Sequence, residues 1–161
     1  MRGVLFLDFD GVMNTPDWCR AKGAGLLPGQ RVTEFAPAAI RELNRILRAC
    51  EVGMVVSSSW RLEANLDLLK ILVANGVDDC RRRYLGATPD LSRRDGCLWL
   101  GATRGQEIMA WLKANPQAGK VAILDDDASA GISGARHFQT DLKRGLTTEI
   151  ADAVIGYFSR P

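Results

Sequence analysis

Short apolar runs recur along this chain, and most of them end in polar residues. Residues 4–7, 52–56 and 121–124 are nearly continuous apolar runs of the kind that forms strands buried on both faces of a parallel sheet. A weaker strand is predicted at residues 83–86 and a fifth at residues 136–139. The chain is therefore expected to contain one sheet of buried strands.

Between these runs, apolar residues recur at the spacing of an α-helix. Ile40, Leu43 and Leu47 predict an amphipathic helix over residues 37–50, which Pro37 begins. Three more helices are predicted, over residues 62–76, over residues 105–115 and from Thr147 or Thr148 onward. Alternating strands and helices predict an α/β fold, a Rossmann-like three-layer sandwich with a mainly parallel five-stranded sheet.

Two segments show neither periodicity. Residues 9–35 contain Gly, Pro and Asn, and we interpret them as a long loop, a feature that is usually functional in a compact domain. Residues 87–103 are interpreted as an irregular connection. Neither segment predicts a further domain, so we expect a single domain over residues 1–161.

The composition is that of an ordinary globular protein, with 47% hydrophobic and 25% charged residues. The formal net charge of +2 is too small to indicate nucleic-acid binding by itself. Arginine clusters at positions 81–83 and 93–94 could face a polyanionic substrate, although short charge runs usually lie on solvated surface.

The cysteines and the N-terminal residues bear on location. The four cysteines lack the spacing of a zinc site or a redox pair, so we expect reduced thiols. The first residues lack the apolar stretch of a signal peptide, and no segment reaches membrane-spanning length. We therefore expect a cytoplasmic location and no membrane partner.

Polar clusters directly follow three of the predicted strands, at residues 8–10, 57–59 and 125–127. The carboxyl ends of parallel strands meet at one edge of a sheet, where such folds bind their ligands. Acids gathered there would repel one another unless a cation lies among them, and carboxylate oxygens suit Mg²⁺. The sequence thus predicts a Mg²⁺ site that uses Asp8 and one member of the 125–127 triplet.

Such an edge has the parts that phosphoryl transfer needs. The reaction requires a nucleophile, charge neutralisation of the phosphoryl oxygens and a proton donor for the leaving group. Asp8 and Asp10 lie two residues apart, so one carboxylate can bind metal while the other has a different environment and a different role.

Residues 4–12, with Asp8-Phe9-Asp10-Gly11 at their centre, resemble the first motif of the haloacid dehalogenase (HAD) superfamily. The resemblance implies that Asp8 attacks phosphorus, while Asp10 protonates the leaving group and then activates water. Residues 55–57 resemble the second motif, in which Ser57 is favoured over Ser58 as the hydroxyl that binds the phosphoryl group; Ser58 suits a helix cap better.

Residues 122–126 resemble the paired-aspartate form of the fourth motif, which supplies the remaining metal ligands. Asp125 is the first choice there and Asp126 the second. The third motif needs one basic residue, for which Arg104 fits by position and Lys120 is the reserve. The candidate residues are Asp8, Asp10, Ser57 and Arg104 for catalysis, Gly11, Ser58 and Lys120 for substrate binding, and Asp8, Asp10, Asp125 and Asp126 for metal.

Shorter pieces narrow the resemblance, among them residues 58–61, residues 104–108 and the pairs Thr88-Pro89 and Thr140-Asp141. They are similar to the HAD domains of multidomain RNA repair proteins. The implied function is Mg²⁺-dependent hydrolysis of a phosphate monoester through an aspartyl-phosphate, on an RNA or DNA end. Nucleotide or small-molecule phosphatases are the alternative, and a phosphate-binding or nucleic-acid-binding module without catalysis is another. The connections leave no room for a large cap domain, so an open site is expected.

The roles of two further side chains, Trp60 and His137, are not decided by the sequence. Trp60 follows the site serines and could stack on a base, although core packing is the commoner fate of such a residue. His137 is the single histidine and lies far from every motif along the chain, so no role is assigned to it.

Overall fold

The computed structural model describes residues 3–23, 32–95 and 98–160. Its strands are β1 (Gly3–Leu7), β2 (Val52–Val56), β3 (Tyr84–Ala87), β4 (Arg93–Asp95), β5 (Leu98–Leu100), β6 (Lys120–Asp125) and β7 (Arg136–Gln139). Its α-helices are α1 (Pro16–Ala21), α2 (Pro37–Ala49), α3 (Leu68–Ala74), α4 (Cys80–Arg83), α5 (Arg104–Ala114) and α6 (Thr148–Ser159). Two short 3-10 turns span Ser59–Leu62 and Ala128–Ala130.

Five of the strands form one parallel sheet in the order β3-β2-β1-β6-β7. In its register, Leu7 pairs with Val56 on one side and with Leu124 on the other. The carboxyl ends of the three central strands therefore lie level. This register brings the residues that follow them, Asp8 and Ser57, to one edge together with Asp125.

The two faces of β1 pack into separate apolar layers. Leu5 and Leu7 belong to the cluster that contains α2, α3 and α6 residues, whereas Val4 and Phe6 belong to the cluster with Ile108 of α5. Helices thus cover both faces of the sheet, and each apolar side chain of β1 is removed from water. The predicted three-layer α/β fold is confirmed.

The segment predicted as one helix over residues 62–76 is broken instead. A 3-10 turn occupies Ser59–Leu62, and α3 begins only after Asp67, whose carboxylate accepts a hydrogen bond from Lys70 N at 3.0 Å. Asp67 starts the new helix because its short polar side chain caps free amides better than it continues a helix. Leu62, expected on the buried face, is half exposed.

The two segments without periodicity contain regular structure. Helix α1 lies within the predicted loop; Pro16 begins it and the Thr15 hydroxyl caps Trp18 N at 3.3 Å. Residues 93–95 and 98–100 form an antiparallel pair of strands within the predicted irregular connection. Residues 24–31 of the loop, the side chains of Arg93 and Arg94, and Cys97 lie outside the part described in detail.

These inserts are small in the described ranges, so the domain has no large cap over the carboxyl edge of the sheet. In the same ranges, no helix is both long enough and apolar enough to cross a membrane.

Candidate active site

Three carboxylates cluster where β1 and β6 end. One oxygen from each of Asp8, Asp125 and Asp126 lies within 4.8 Å of the other two. Asp8 is only 6% exposed and Asp125 is completely buried. The sequence left Asp125 and Asp126 as alternative metal ligands. In the structure both carboxylates lie near that of Asp8, so both can serve.

Gly11 permits this arrangement. It adopts a φ of +77°, and a Cβ atom built there would lie 2.4 Å from the Asp126 carboxylate. Any other residue would combine left-handed backbone strain with this overlap. The carbonyl oxygen of Gly11 accepts a hydrogen bond from the Thr140 hydroxyl at 2.7 Å, which fixes the turn from the opposite side. Gly11 thus lies at the site, where it shapes the turn against Asp126.

The buried oxygens of the cluster fit a cation. Within the described ranges, no group hydrogen-bonds to Asp8 Oδ1 or Asp125 Oδ2, and both atoms are buried. The other oxygen of Asp125 accepts from Asp127 N at 2.9 Å. A buried carboxylate oxygen without a donor is costly, and a hard divalent cation among these oxygens would remove that cost.

Burial, together with the neighbouring negative charges, disfavours ionisation of the clustered carboxylates in the absence of a cation. Burial, with the nearby Asp8 carboxylate as a second cause, raises the pKa of Asp125 to about 7. Burial raises the pKa of Asp8 as well, against the lowering effect of Arg104 and of hydrogen bonds from the Phe9 amide and Ser58. Burial also raises the pKa of Asp126. A bound divalent cation would reverse these shifts, because it favours the ionised carboxylates.

Asp10 has a different environment from Asp8. Its carboxylate is not a member of the three-carboxylate cluster, so its predicted role as a side-chain metal ligand is not supported by the position of that group. Asp10 Oδ2 instead accepts a hydrogen bond of 2.8 Å from the indole Nε1 of Trp60.

Ser57 lies at the same edge as the carboxylates, and hydrogen bonds fix its backbone. Its amide donates to Leu7 O at 2.9 Å, and its carbonyl accepts from Arg61 Nη1 at 3.2 Å and also from Arg104 Nη1. In the described part of the chain its buried hydroxyl has no hydrogen-bond partner. Ser58 caps the following 3-10 turn, because its Oγ accepts from Trp60 N at 3.5 Å.

Arg104 places a positive charge beside the carboxylates at this edge of the sheet. It is the first residue of α5, whose N-terminus is closed by a capping box between Thr103 and Gln106. Its Nε lies 3.5 Å from Asp125 Oδ2, and its guanidinium also approaches Glu107 at 3.7 Å. Arg104 is thus the basic residue that the structure brings to the acids.

A buried ion pair beneath Arg104 was not predicted from the sequence. Arg61 and Glu107 are almost completely buried and 2.5 Å apart. Arg61 also donates to Ser58 O at 2.8 Å and to Thr88 O at 3.1 Å. The pair therefore ties the turn after β2 to the start of α5. Both residues occur in the short pieces that carry the resemblance, but spacing alone gives no reason to pair them.

Lys120 lies at the opposite edge of the sheet, where β6 begins. Its Nζ donates to Tyr157 O at 3.3 Å and to Arg160 O near the end of α6. The reserve assignment of Lys120 to the phosphoryl site therefore does not agree with its position. Lys120 is the first residue of β6 and Asp125 is the last, so the length of the strand separates the lysine from the acids.

The arginine cluster at positions 81–83 also lies away from the carboxylates. Arg83 is buried, and its Nη1 donates to Cys50 O at 2.9 Å and to Val52 O at 3.0 Å, at the beginning of β2. This arginine has a structural role there. The suggestion that this cluster faces the substrate is therefore not supported.

His137 lies closer to the site than its position along the chain suggests. Strand β7 pairs with β6, and His137 Nε2 lies 3.1 Å from the backbone oxygen of Asp125. The imidazole contacts the peptide of Asp125 and not its carboxylate. The parallel pairing of the two strands explains this proximity.

The chain also matches the sequence model of a known protein family. The sequence model of the family described as "HAD domain in Swiss Army Knife RNA repair proteins" matches residues 4–151. No curated protein and no solved structure matched the chain significantly.

Proposed function

The chain belongs to the family of HAD domains in Swiss Army Knife RNA repair proteins, and on that premise we propose that it is a Mg²⁺-dependent phosphatase that acts on RNA or DNA ends. One observation carries the proposal. Oxygens of Asp8, Asp125 and Asp126 lie within 4.8 Å of one another, and one buried oxygen each of Asp8 and Asp125 has no hydrogen-bond donor in the described structure, at the edge that also holds Ser57 and Arg104. Such a site accepts a cation and a phosphate together.

Asp8 is the proposed nucleophile. One of its oxygens forms a bond to phosphorus while the bond between phosphorus and the leaving oxygen breaks, which gives an aspartyl-phosphate. Asp10 donates a proton to the leaving oxygen. It then takes a proton from the water that attacks the aspartyl-phosphate, so that Asp8 and inorganic phosphate are released and Asp10 is protonated again.

The other side chains hold charge and geometry. Asp8, Asp125 and Asp126 would hold Mg²⁺, which when bound supplies positive charge to the phosphoryl oxygens and to the carboxylates. The Ser57 hydroxyl, without a partner among the described residues, is available to donate to a phosphoryl oxygen. Arg104 neutralises the phosphoryl charge, and its place at the beginning of α5 adds the positive end of that helix.

The family and the open edge support a nucleic-acid end as the substrate. The described inserts are too small to enclose a small molecule, so a large substrate would itself exclude water from the site. A cavity of about 260 Å³ next to Arg104, lined by polar residues such as Ser59 and Asp90, is large enough for part of a nucleotide. The same cavity favours a free nucleotide as the second candidate.

The test is phosphate release with Mg²⁺ from 3′- and 5′-phosphorylated oligonucleotides, free nucleotides and sugar phosphates. We expect turnover that EDTA removes, with oligonucleotide ends preferred over monomers. Preference for monomers would support the second candidate. If no substrate turns over but oligonucleotides bind with a salt-dependent affinity, the domain is a binding module and the phosphatase proposal is wrong.

Arg104→Gln should lower kcat/KM by about 10²-fold, because it removes a preorganised charge at the phosphoryl oxygens. Arg104→Lys should retain more activity than Arg104→Gln, since it keeps the charge without the forked donors. The matched control is Arg41→Gln on the exposed face of α2, which should leave kcat/KM unchanged. Equal activity of Arg104→Gln and the wild type would contradict the assigned role.

A further inference from the structure

We propose that Trp60 is a positioning residue that aims the carboxyl group of Asp10 at the leaving group of the substrate. The inference rests on the proposed function, in which Asp10 is the general acid. It concerns how a buried indole in the turn after β2 controls a carboxylate that lies fifty residues earlier in the chain.

The hydrogen bond has a defined direction. Trp60 Nε1 lies 2.8 Å from Asp10 Oδ2, and an indole N–H can only donate. Oδ2 must therefore act as an acceptor whether Asp10 is ionised or protonated. The bond favours Oδ1 as the carrier of the proton that Asp10 exchanges with the leaving group or with water, because a carboxyl oxygen that carries the proton is the weaker acceptor. Trp60 thus selects the oxygen of Asp10 that takes part in proton transfer.

The indole that makes this bond is fixed by aromatic packing. Trp60 is 1% exposed, and its ring meets Phe9 edge to face at a centroid distance of 5.2 Å. Phe35 packs against both rings, 4.8 Å from Phe9 and 6.0 Å from Trp60. Phe9 lies between the two aspartates in the sequence, so the aromatic cluster holds the turn that carries Asp10 and the donor that orients it.

The same arrangement keeps Asp10 apart from the cation site. Asp8, Asp125 and Asp126 form the carboxylate cluster, whereas Asp10 is not a member of it and its Oδ2 accepts the bond from Trp60. A carboxylate that bound the cation would be a poor proton donor. Trp60 therefore separates Asp10, the proposed acid, from the metal ligands, although only one residue lies between Asp8 and Asp10 in the sequence.

The test compares two leaving groups in Trp60→Phe, which keeps an aromatic ring and removes the N–H donor. An alkyl phosphate needs protonation of its leaving oxygen, whereas p-nitrophenyl phosphate does not. We expect kcat/KM to fall about tenfold or more on the alkyl phosphate and less than about twofold on the aryl phosphate. The ratio kcat/KM reports the steps up to transfer of the phosphoryl group, so it isolates the acid role.

The matched control is Trp111→Phe. Trp111 packs edge to face on Phe6 at 5.4 Å, on the other face of the sheet, so its replacement removes an indole N–H away from Asp10. It should leave the alkyl-to-aryl ratio at the wild-type value, whereas Asp10→Asn should give a larger change of this ratio than Trp60→Phe. Equal losses on both substrates in Trp60→Phe would show a merely structural role and overturn the inference.

If Trp60→Phe does not fold, Trp60 can be replaced by benzothienylalanine, in which sulfur occupies the place of the N–H group in a ring of nearly the same shape. The same change of ratio is expected, and its absence overturns the inference. Asp8→Asn separates this result from the proposed function. If Asp8→Asn retains turnover, the phosphatase mechanism is wrong, whereas its inactivity beside an unchanged ratio in the Trp60 variants rejects only the role of Trp60.

Discussion

Asp8→Asn should lower Mg²⁺-dependent phosphate release by about 10⁴-fold or more, because an amide cannot take the place of a carboxylate nucleophile. Asparagine has nearly the same shape as aspartate, so the packing around this 6% exposed residue should persist. The loss should appear on every substrate that the wild type hydrolyses. Rapid-quench measurements of the first turnover should also show no phosphorylated protein in the variant.

The control for Asp8→Asn is Asp127→Asn. Asp127 belongs to the same acidic triplet as the metal candidates, yet its oxygens accept from Ser129 N at 2.8 Å and Ser129 Oγ at 2.7 Å. It therefore caps a turn, and its replacement should change kcat less than about twofold. Thermal unfolding should show that both variants are folded. Activity of Asp8→Asn within tenfold of the wild type would refute Asp8 as the nucleophile.

Asp125→Asn should abolish the effect of Mg²⁺ and stabilise the metal-free protein at neutral and alkaline pH. Burial raises the pKa of Asp125 to about 7, far above the value of about 3.9 expected in the unfolded chain. Between these two values the folded state holds a proton that the unfolded state has released. The free energy of unfolding should therefore fall as the pH rises from about 4 to 7, by about 3 kcal/mol at most.

Asparagine cannot ionise, so Asp125→Asn should lose most of this pH dependence. Urea denaturation at pH 5 and pH 8, with EDTA, should show a variant that is more stable than the wild type only at the higher pH. Mg²⁺ should then stabilise the wild type at pH 8 and not the variant, because a cation that binds only the folded state adds to its stability. Phosphatase activity of Asp125→Asn should be lost in parallel.

Asp127→Asn again provides the comparison, because it should keep both the pH dependence and the stabilisation by Mg²⁺. Equal stabilisation of the wild type and Asp125→Asn by Mg²⁺ would place the cation elsewhere. A wild type whose stability rises between pH 5 and pH 8 in EDTA would contradict the buried, protonated state of Asp125.

The sequence alone determined the sheet and the edge at which the polar residues after its strands gather. The apolar run at residues 4–7 is stable as a strand only when both of its faces are buried. This requires neighbouring strands in the sheet and helices that cover both faces of the sheet. A parallel sheet then places the residues that follow its strands at one edge, so Asp8, Ser57 and Asp125 are brought together by strand ends alone. The family resemblance agrees with this, because its motifs are the same strand ends.

Only the tertiary structure decided which side chains act together there. Lys120 begins β6, at the edge away from the acids, whereas the packing of α5 places Arg104 beside Asp125. The hydrophobic pattern gives no information on that packing. The bond between Trp60 and Asp10 likewise joins segments that no local spacing relates.

The physical reason is the range of the interactions. Burial and backbone geometry repeat along the chain with the period of a strand or a helix, so they leave a pattern in the sequence. Hydrogen bonds and ion pairs between distant side chains depend on register and rotamer, which are fixed only when the layers pack. The sequence by itself thus determined the fold and the edge that holds the acids. Packing decided which side chains contact those acids, as the bond from Trp60 to Asp10 and the approach of Arg104 to Asp125 show.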